Sequence, residues 1–452
     1  MTKAIVIVDA YSSGRIFPDV FKEKIADRAD VVLIHVQSTP YIMSKMAIPE
    51  KEKYAENFVY TGDMDTLIAE LSKYEVTAVL VGQEPGVELS DALSERLNLP
   101  TSNGTKMSTA RRNKYDMIQA VADAGNLDDI LAWKQRENIE YPVVLKVLRS
   151  ASTDGVYICS NQLELERAFA KAIGHRTIME EVNTEVLVES FLKGREYVVD
   201  AVSYDGKHYV TDVWLYQKRF VPGHGNIYDK EMLLPSDATE VQALIEYNSR
   251  MLDALEIKYG PSHAEIMLTP DQGPVLVEVG ARINGVVHPK LHNLCLGHDQ
   301  VHLTADCYFD PDAFHHVVAK LPYKMQRHAM IVNLINESAT GTIELIDEEI
   351  LGQMRALPSM VDMVVKVKPG QSLGPTRNLL ESPVRFFMCH ESEEQLQRDY
   401  ETIQAIKGRL FRLRPSASLL SVPGVADSPQ QQAGVTEKKH EAGVSYRSSC
   451  TL

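Results

Sequence analysis

Paired cysteines are missing from this chain. Its five cysteines, Cys159, Cys295, Cys307, Cys389 and Cys450, are scattered, odd in number and never arranged as CxxC. That argues against a disulfide framework or a structural zinc site and for a reducing compartment. Positive charge is short as well: 47 Lys and Arg against 62 Asp and Glu leave a formal net charge of −15. Nucleic acid or an anionic membrane calls for a basic patch, so neither is expected as the main partner. Phosphorylated small molecules need only local positive charge and stay open. No apolar run approaches the ~20 residues of a membrane span. The opening MTKAIVIVDAYSSG is too briefly apolar for a secretory signal. A cytoplasmic protein is expected. The first strand is followed by DAYSSG rather than GxGxxG, so the dinucleotide fingerprint is absent too.

At 452 residues the chain has room for roughly two to four domains. Residues 1–105 alternate strand signals (AIVIV, VVLIHV, VTAVLVG) with helical spacing such as DTLIAELSKY, which predicts a parallel-sheet α/β domain. From 106 the pattern changes. ARRNKYDMIQAVADAGN reads as an amphipathic helix opened near Lys114 and stopped by Gly125. A buried strand at 141–148, a small-residue loop at 149–158, a helix near 161–173 and a strand at 185–192 follow, then a hairpin turning at Asp205-Gly206. Residues 305–412 read as a C-terminal α+β segment, and 413–452 are polar enough to be a disordered tail.

Chemistry concentrates in SHAEIMLTPDQGPVLVEVGARINGV, residues 262–286. Apolar residues alternate through Ala264, Ile266 and Leu268 and again through Val275, Val277 and Val279, the period of half-buried strands. A hairpin turning symmetrically about Asp271-Gln272 sets Glu265 opposite Glu278. Like charges directly opposite destabilise a ladder, but two carboxylates so placed can share a cation. The plain alternative is a solvated face neutralised by Arg282. Lys146 interrupts the apolar strand VVLKVL just before Ser150, Ser152, Thr153 and Gly155, small residues that let backbone N–H groups approach a phosphate. A strand lysine that snorkels to the surface reads the same way. Lys114, after ARRN, is a second cation, although basic residues there are commonly just solvated. Glu189 ends a strand and Glu196 follows beyond Gly194; they could accept from an adenine amino group and from ribose hydroxyls, or be ordinary strand-end acids.

Taken in order, Lys114, Lys146 with its loop, VLVESFLKGREY and HAEI…VLVEVGARING resemble the ATP-grasp superfamily. The resemblance implies an N-terminal parallel-sheet domain (1–105), a core at 106–304 with a lid subdomain near 140–195, and a C-terminal subdomain at 305–412. It implies ATP and Mg²⁺ as cofactors, with Mn²⁺ able to substitute. It puts Lys114 and Lys146 on the ATP phosphates under the lid loop Ser152 to Val156, which includes Thr153 and Gly155. Glu189 would meet the adenine with backbone groups of Phe191 and Leu192, and Glu196 the ribose. Glu265 and Glu278 would hold metal, and Arg282 would steady charge on the phosphorylated carboxylate. The chain departs from the family pattern in carrying one glycine in the loop and Gly280 where a metal-binding asparagine is common, which leaves Asn284 or water to complete the metal shell.

HAEI, E-x-x-AR and the spacing in KVLRSASTDG look most like the dipeptide-forming L-amino acid ligases of bacilysin- and tabtoxin-type pathways. That likeness implies small-molecule partners, two amino acids and ATP, an aminoacyl phosphate and release of ADP; it is compatible with a homodimer. Other ATP-grasp ligases and a non-catalytic nucleotide-binding regulator are the alternatives. Residues 215–235 read either as a closing loop that brings Lys218, Arg219 and His224 to a substrate carboxylate, with Gly223 and Gly225 as hinges, or as a mobile surface loop. His263 is a metal neighbour or a packed histidine, and His288, His292 and His298 form no trusted ligand set. Val286 is expected to face the acceptor pocket.

Overall fold

The computed structural model describes residues 1–26, 28–43, 46–124, 141–150, 154–221 and 225–415. Four parallel strands open the chain: β1 (Thr2–Val8), β2 (Val31–Gln37), β3 (Glu56–Val59) and β4 (Tyr74–Val81), in the order β3-β2-β1-β4, with α1 (Phe17–Lys24) between β1 and β2, α2 (Met64–Leu71) between β3 and β4, and α3 (Val87–Arg96) after β4. The strands and helix expected from AIVIV, VVLIHV, VTAVLVG and DTLIAELSKY are β1, β2, β4 and α2. β3 is a four-residue edge strand that buries little and so carried no apolar signal.

α4 (Lys114–Ala124) leads into a small antiparallel sheet of β5 (Val143–Val147), β6 (Val156–Cys159) and β7 (Val186–Ser190), ordered β6-β5-β7 and backed by α5 (Gln162–Ala172). Leu145 and Val147 pack there on Ala168 and Ala172, a core separate from the rest. The remainder is built from β8 (Arg195–Tyr204), β9 (Lys207–Val221), β10 (Gly225–Leu233), α6 (Thr239–Ala254), β11 (Gly260–Thr269), β12 (Gly273–Gly280), α7 (Pro289–Leu296), α8 (Gln300–Phe309), α9 (Pro311–Val318), β13 (His328–Asn333), β14 (Gly341–Ile346), α10 (Glu348–Arg355), β15 (Met360–Val365), β16 (Ser372–Leu373), β17 (Val384–His390), α11 (Glu393–Ile406) and β18 (Phe411–Arg414). An eight-stranded antiparallel sheet, β12-β11-β8-β9-β10-β13-β17-β15, dominates it, while β16-β14-β18 form a small sheet beside it. The segment 305–412 is thus divided: β13, β15 and β17 complete the large sheet, and the rest packs on them through Ile350, Met354, Leu396 and Ile403.

The large sheet has one apolar and one polar face. Val199, Ala201, Val213, Ala264 and Ile266 meet Leu244, Met251 and Leu252 of α6. The opposite parity carries Glu196, Asp200, Asp212, Tyr216, Lys218, His263, Glu265 and Glu278. The N-terminal domain docks through a shared core in which Phe17 and Phe21 of α1 join Val301 and Ala305 of α8.

Two expectations are corrected. Residues 215–235 are mostly β9 and β10, central strands of the large sheet, not a closing loop. Neighbouring strand residues point to opposite faces, so Lys218 and Arg219 cannot serve one substrate. Arg219 turns to the apolar side, where Asp229, Tyr400 and Gln404 accept its hydrogen bonds. His224 and Gly223 lie outside the described residues, as do Gly125 and the tail from 416; β18 itself runs to Arg414, past the boundary expected at 412.

Candidate active site

The Glu265–Glu278 pair forms as expected, but by a different register. The hairpin turns about Asp271, with Thr269 opposite Gly273 and Met267 opposite Val275. A bulge beyond Ile266 then restores Glu265 to a position opposite Glu278. It also buries Val275 and Leu276 together and leaves Val277 only half-buried, so the strict alternation expected for β12 is broken.

Cations surround Glu278. Lys114 Nζ donates to its Oε1 at 3.0 Å and to the Ser150 carbonyl at 3.0 Å. Burial pushes the Glu278 carboxyl up, but Lys114, Lys146 and Arg282 outweigh it and hold the group below its ordinary range. Glu265 lacks such partners. Burial, then Glu196 and Glu278, raise it to about 7 against the pull of His263 and Lys218. Two facing carboxylates, one charged and one driven toward protonation, fit a divalent cation. Among the described residues no three His, Cys, Asp or Glu side chains converge to bind a metal alone. A two-carboxylate set suits Mg²⁺, which takes one or two protein carboxylates and completes its shell with phosphate oxygens and water.

Lys146 is 9% exposed, so it does not snorkel; its Nζ is 2.6 Å from Glu189 Oε2 across the small sheet. Burial works against its charge, but Glu189, Glu278 and Glu265 outweigh that and hold its pKa above the ordinary value. Glu189 is therefore partnered by Lys146, and Phe191 and Leu192 follow it in the connection to β8. Ser152 and Thr153 lie outside the described residues. The loop around them is tied at its base: Ser150 Oγ donates to Asp154 Oδ2 at 2.8 Å, and the Ile178 N–H donates to the same oxygen at 2.9 Å. Gly155 has φ +73°, and a Cβ there would sit 2.6 Å from Val147 Cγ1, so the loop can return to β6 only through glycine. Glu196 accepts from Lys218 and, at 3.0 Å, from Tyr228 Oη; Lys218 Nζ also lies 4.3 Å from the Tyr228 ring centroid.

Arg282 does not neutralise the glutamate pair by direct contact. Its Nε is 3.1 Å from Glu84 Oε2 and its Nη1 donates to the Ile283 carbonyl at 3.0 Å. Glu84 follows β4 and is buried, so the N-terminal domain holds this arginine in place. Sequence reading missed Glu84. The available signal was its position past the end of a parallel strand at a switch in strand order, where such sheets gather functional groups. Gly280 now has a reason: a Cβ there would be 2.7 Å from Glu84 Oε2 and 3.1 Å from Arg282 Nε. The ARRN arginines are not solvated either. Arg111 is fully buried, bound to Asp91 and to carbonyls of Leu255 and Glu256, and Arg112 joins Glu181 to Glu84, at 2.5 and 3.9 Å.

Asn284 is engaged at both ends, with Nδ2 donating to Asp200 Oδ2 at 2.7 Å and Oδ1 accepting from Val286 N at 2.8 Å. Its amide braces Asp200 rather than facing the glutamate pair, a correction to its expected ligand role. His263 is the hydrogen-bonded histidine of the two readings, 2.7 Å from Asp200, although its Nε2 lies 3.9 Å from Glu265. His288 pairs with Asp362, His292 with a backbone carbonyl and His298 with Thr211 O, so they share no ligand. Val286, expected to face an acceptor pocket, is buried in the main core.

A small antiparallel sheet beside a large one, with lysines and glutamates gathered from both, is the arrangement of an ATP-grasp enzyme. Comparison with known proteins agrees: the family model of the ATP-grasp domain matches residues 139–290. Dapdiamide A synthase of Enterobacter agglomerans is 30% identical over 427 residues, 91% of this chain and 97% of that protein. A D-alanine–D-alanine ligase of Bacillus velezensis is 26% identical over 211 residues, covering 41% of this chain and 56% of its own. The solved L-amino acid ligase of Bacillus licheniformis superposes with a TM-score of 0.68 at 19% identity, covering 92% of this chain and 99% of that one. The chain belongs to the ATP-grasp ligase family and is an ATP-dependent carboxylate–amine ligase. Among the described residues no helix is long and apolar enough to cross a membrane.

Proposed function

We propose that the carboxylate and the amine both come from amino acids, so that the product is a dipeptide or a closely related amide. A donor carboxylate oxygen attacks the γ-phosphorus of ATP and the bond to the β-phosphate oxygen breaks, giving ADP and an acyl phosphate. The acceptor amine, having lost a proton, then attacks the acyl carbon, and inorganic phosphate leaves. Both steps bring anionic reactants together, which requires placed positive charge and exclusion of water.

In this reading Lys114 and Lys146, each aimed by a glutamate, meet the phosphates, and the loop containing Ser152, Thr153 and Gly155 covers them. Glu189, with backbone groups of Phe191 and Leu192, receives the adenine, and Glu196, oriented by Lys218 and Tyr228, the ribose. Glu265 and Glu278 would hold Mg²⁺, which neutralises phosphate charge. Arg282, fixed by Glu84, stabilises charge on the acyl phosphate and its tetrahedral successor. The observation that carries the reading is the conjunction of the facing Glu265–Glu278 pair with a buried Arg282; binding a nucleotide without turnover needs neither. The full-length likeness to dapdiamide A synthase supports an amino-acid-type substrate pair.

The test is release of ADP and phosphate with ATP, Mg²⁺ and single or paired L-amino acids, with mass analysis of the products. Release that depends on a pair and yields the mass of the joined product is expected. Release without such a product would move the acceptor to another amine class, and tight ATP binding without release would favour a regulator.

A further inference from the structure

The polar face of the large sheet continues past the groups used above. Glu231 of β10 lies opposite Tyr216 and is 1% exposed, yet among the described residues its Oε2 has no hydrogen-bond partner. Across β13 stands Arg385 of β17, half-buried, whose Nε donates to Asn333 Oδ1 at 2.9 Å. Asn333 is fully buried and its Nδ2 is also unpartnered. Glu231 and Arg385 feel each other's charge, but among the described residues neither forms an ion pair. The ladder explains this. Glu231 is level with Ile331 and Arg385 with Asn333, so the two straddle one strand, with backbones on the order of 10 Å apart.

A buried acid and a guanidinium left apart on one face are costly unless a ligand brings both opposite charges. Burial pushes the Glu231 carboxyl up to about 7 despite Arg385 and His263, as expected for a carboxylate lacking its cation. An α-amino acid zwitterion carries both charges. Only the acceptor keeps its carboxylate through the reaction, so only the acceptor can use an arginine from binding to product.

We propose that Glu231 and Arg385 are the two ends of a clasp for the zwitterionic acceptor amino acid: Arg385 takes the α-carboxylate, Glu231 receives the α-ammonium, and Asn333 orients the guanidinium. This deepens the amino-acid ligase reading and rests on it. A guanidinium can grip a carboxylate through two parallel hydrogen bonds, which a lysine cannot reproduce.

The experiment uses the full-length enzyme with a donor that supports ADP release. Three acceptors are compared: an L-amino acid, its carboxamide, and hydroxylamine, which traps the acyl phosphate without needing a carboxylate. Wild type should prefer the amino acid over its carboxamide by at least about tenfold, the scale of one charge-assisted hydrogen bond. Arg385→Met should raise the acceptor KM, erase that preference and lower amide formation at least about tenfold more than hydroxamate formation. Arg385→Lys should recover part of the preference, and Glu231→Gln should raise the KM of the same acceptor. An Arg385→Met enzyme that keeps the preference and the KM overturns the clasp. So does one that is folded by circular dichroism but loses hydroxamate and amide formation equally, because Arg385 would then serve donor activation. If wild type forms hydroxamate but joins no amino-acid acceptor, the ligase reading beneath the clasp fails instead.

Discussion

Replacing Glu265 with glutamine should make the metal-free protein more stable at alkaline pH. Glu265 is a carboxyl raised from 4.5 to about 7 by burial and by the facing Glu196 and Glu278. Its folded pKa lies above its unfolded one. Below about pH 4.5 the group is therefore protonated in both states and costs nothing; the penalty grows as pH rises from 4.5 to about 7 and is constant above that. At about 1.4 kcal/mol per pH unit the full interval corresponds to roughly 3 kcal/mol. The side chain is 24% exposed, so solvent screening cuts this to about 1–2 kcal/mol. With an unfolding entropy of roughly 0.9 kcal/mol per kelvin for a fold of this size, Glu265→Gln should melt about 1–2 °C above wild type at pH 8. The two should converge by pH 5. The assay is thermal denaturation after chelator treatment, repeated with Mg²⁺ and ADP. Wild type should gain from the metal nucleotide what the variant does not, since glutamine offers no charge to the cation. A variant no more stable than wild type at pH 8, or one stabilised equally by the metal nucleotide, would refute the account of the glutamate pair.

Lys146→Ala should weaken ATP binding by about 1.5–3 kcal/mol, the range of a charge-assisted hydrogen bond; unchanged affinity by calorimetry would remove its phosphate role. Gly280→Ala drives a Cβ to within 2.7 Å of Glu84 Oε2. It should lower kcat by about 10–100-fold through displacement of Arg282, with ATP affinity retained, and steady-state kinetics showing an unaltered kcat would sever the Glu84–Arg282 pair from catalysis. Arg219→Ala should leave the amino-acid KM unchanged while costing about 1–3 kcal/mol of stability, because Asp229 is 10% exposed and loses its cation, although the Tyr400 hydroxyl still donates to it. A raised KM in that variant would contradict its position on the apolar side of the sheet.

What could be read from the sequence alone was whatever the chain encodes locally. The Asp205-Gly206 turn is one case: both residues have positive φ, 50° and 71°, and the hairpin follows from two adjacent residues. The buried strand around Lys146 and the helix beginning at Lys114 were legible for the same reason, as period and boundary residues sit within a few positions of each other. The Glu265–Glu278 pairing was legible only in part. Both glutamates belong to one hairpin, but a bulge between Glu265 and Ile266, next to Leu276 in the main core, corrected a turn centred elsewhere.

Tertiary structure decided the rest. No local pattern could tell that Arg282 would be held by Glu84, 198 positions away, that Arg111 would be buried against the chain near Leu255, or that Asn284 would turn to Asp200. Each of these polar groups loses water on burial and must take whichever partner the packing of distant elements brings within about 3 Å. Once 218 and 219 lie on β9, alternation parts Lys218 and Arg219 to opposite faces, whereas the sequence suggested a loop that would bring both to one substrate. Which face would carry the chemistry depended on where α6 and α11 landed, because a sheet has one site-bearing side only after helices have covered the other.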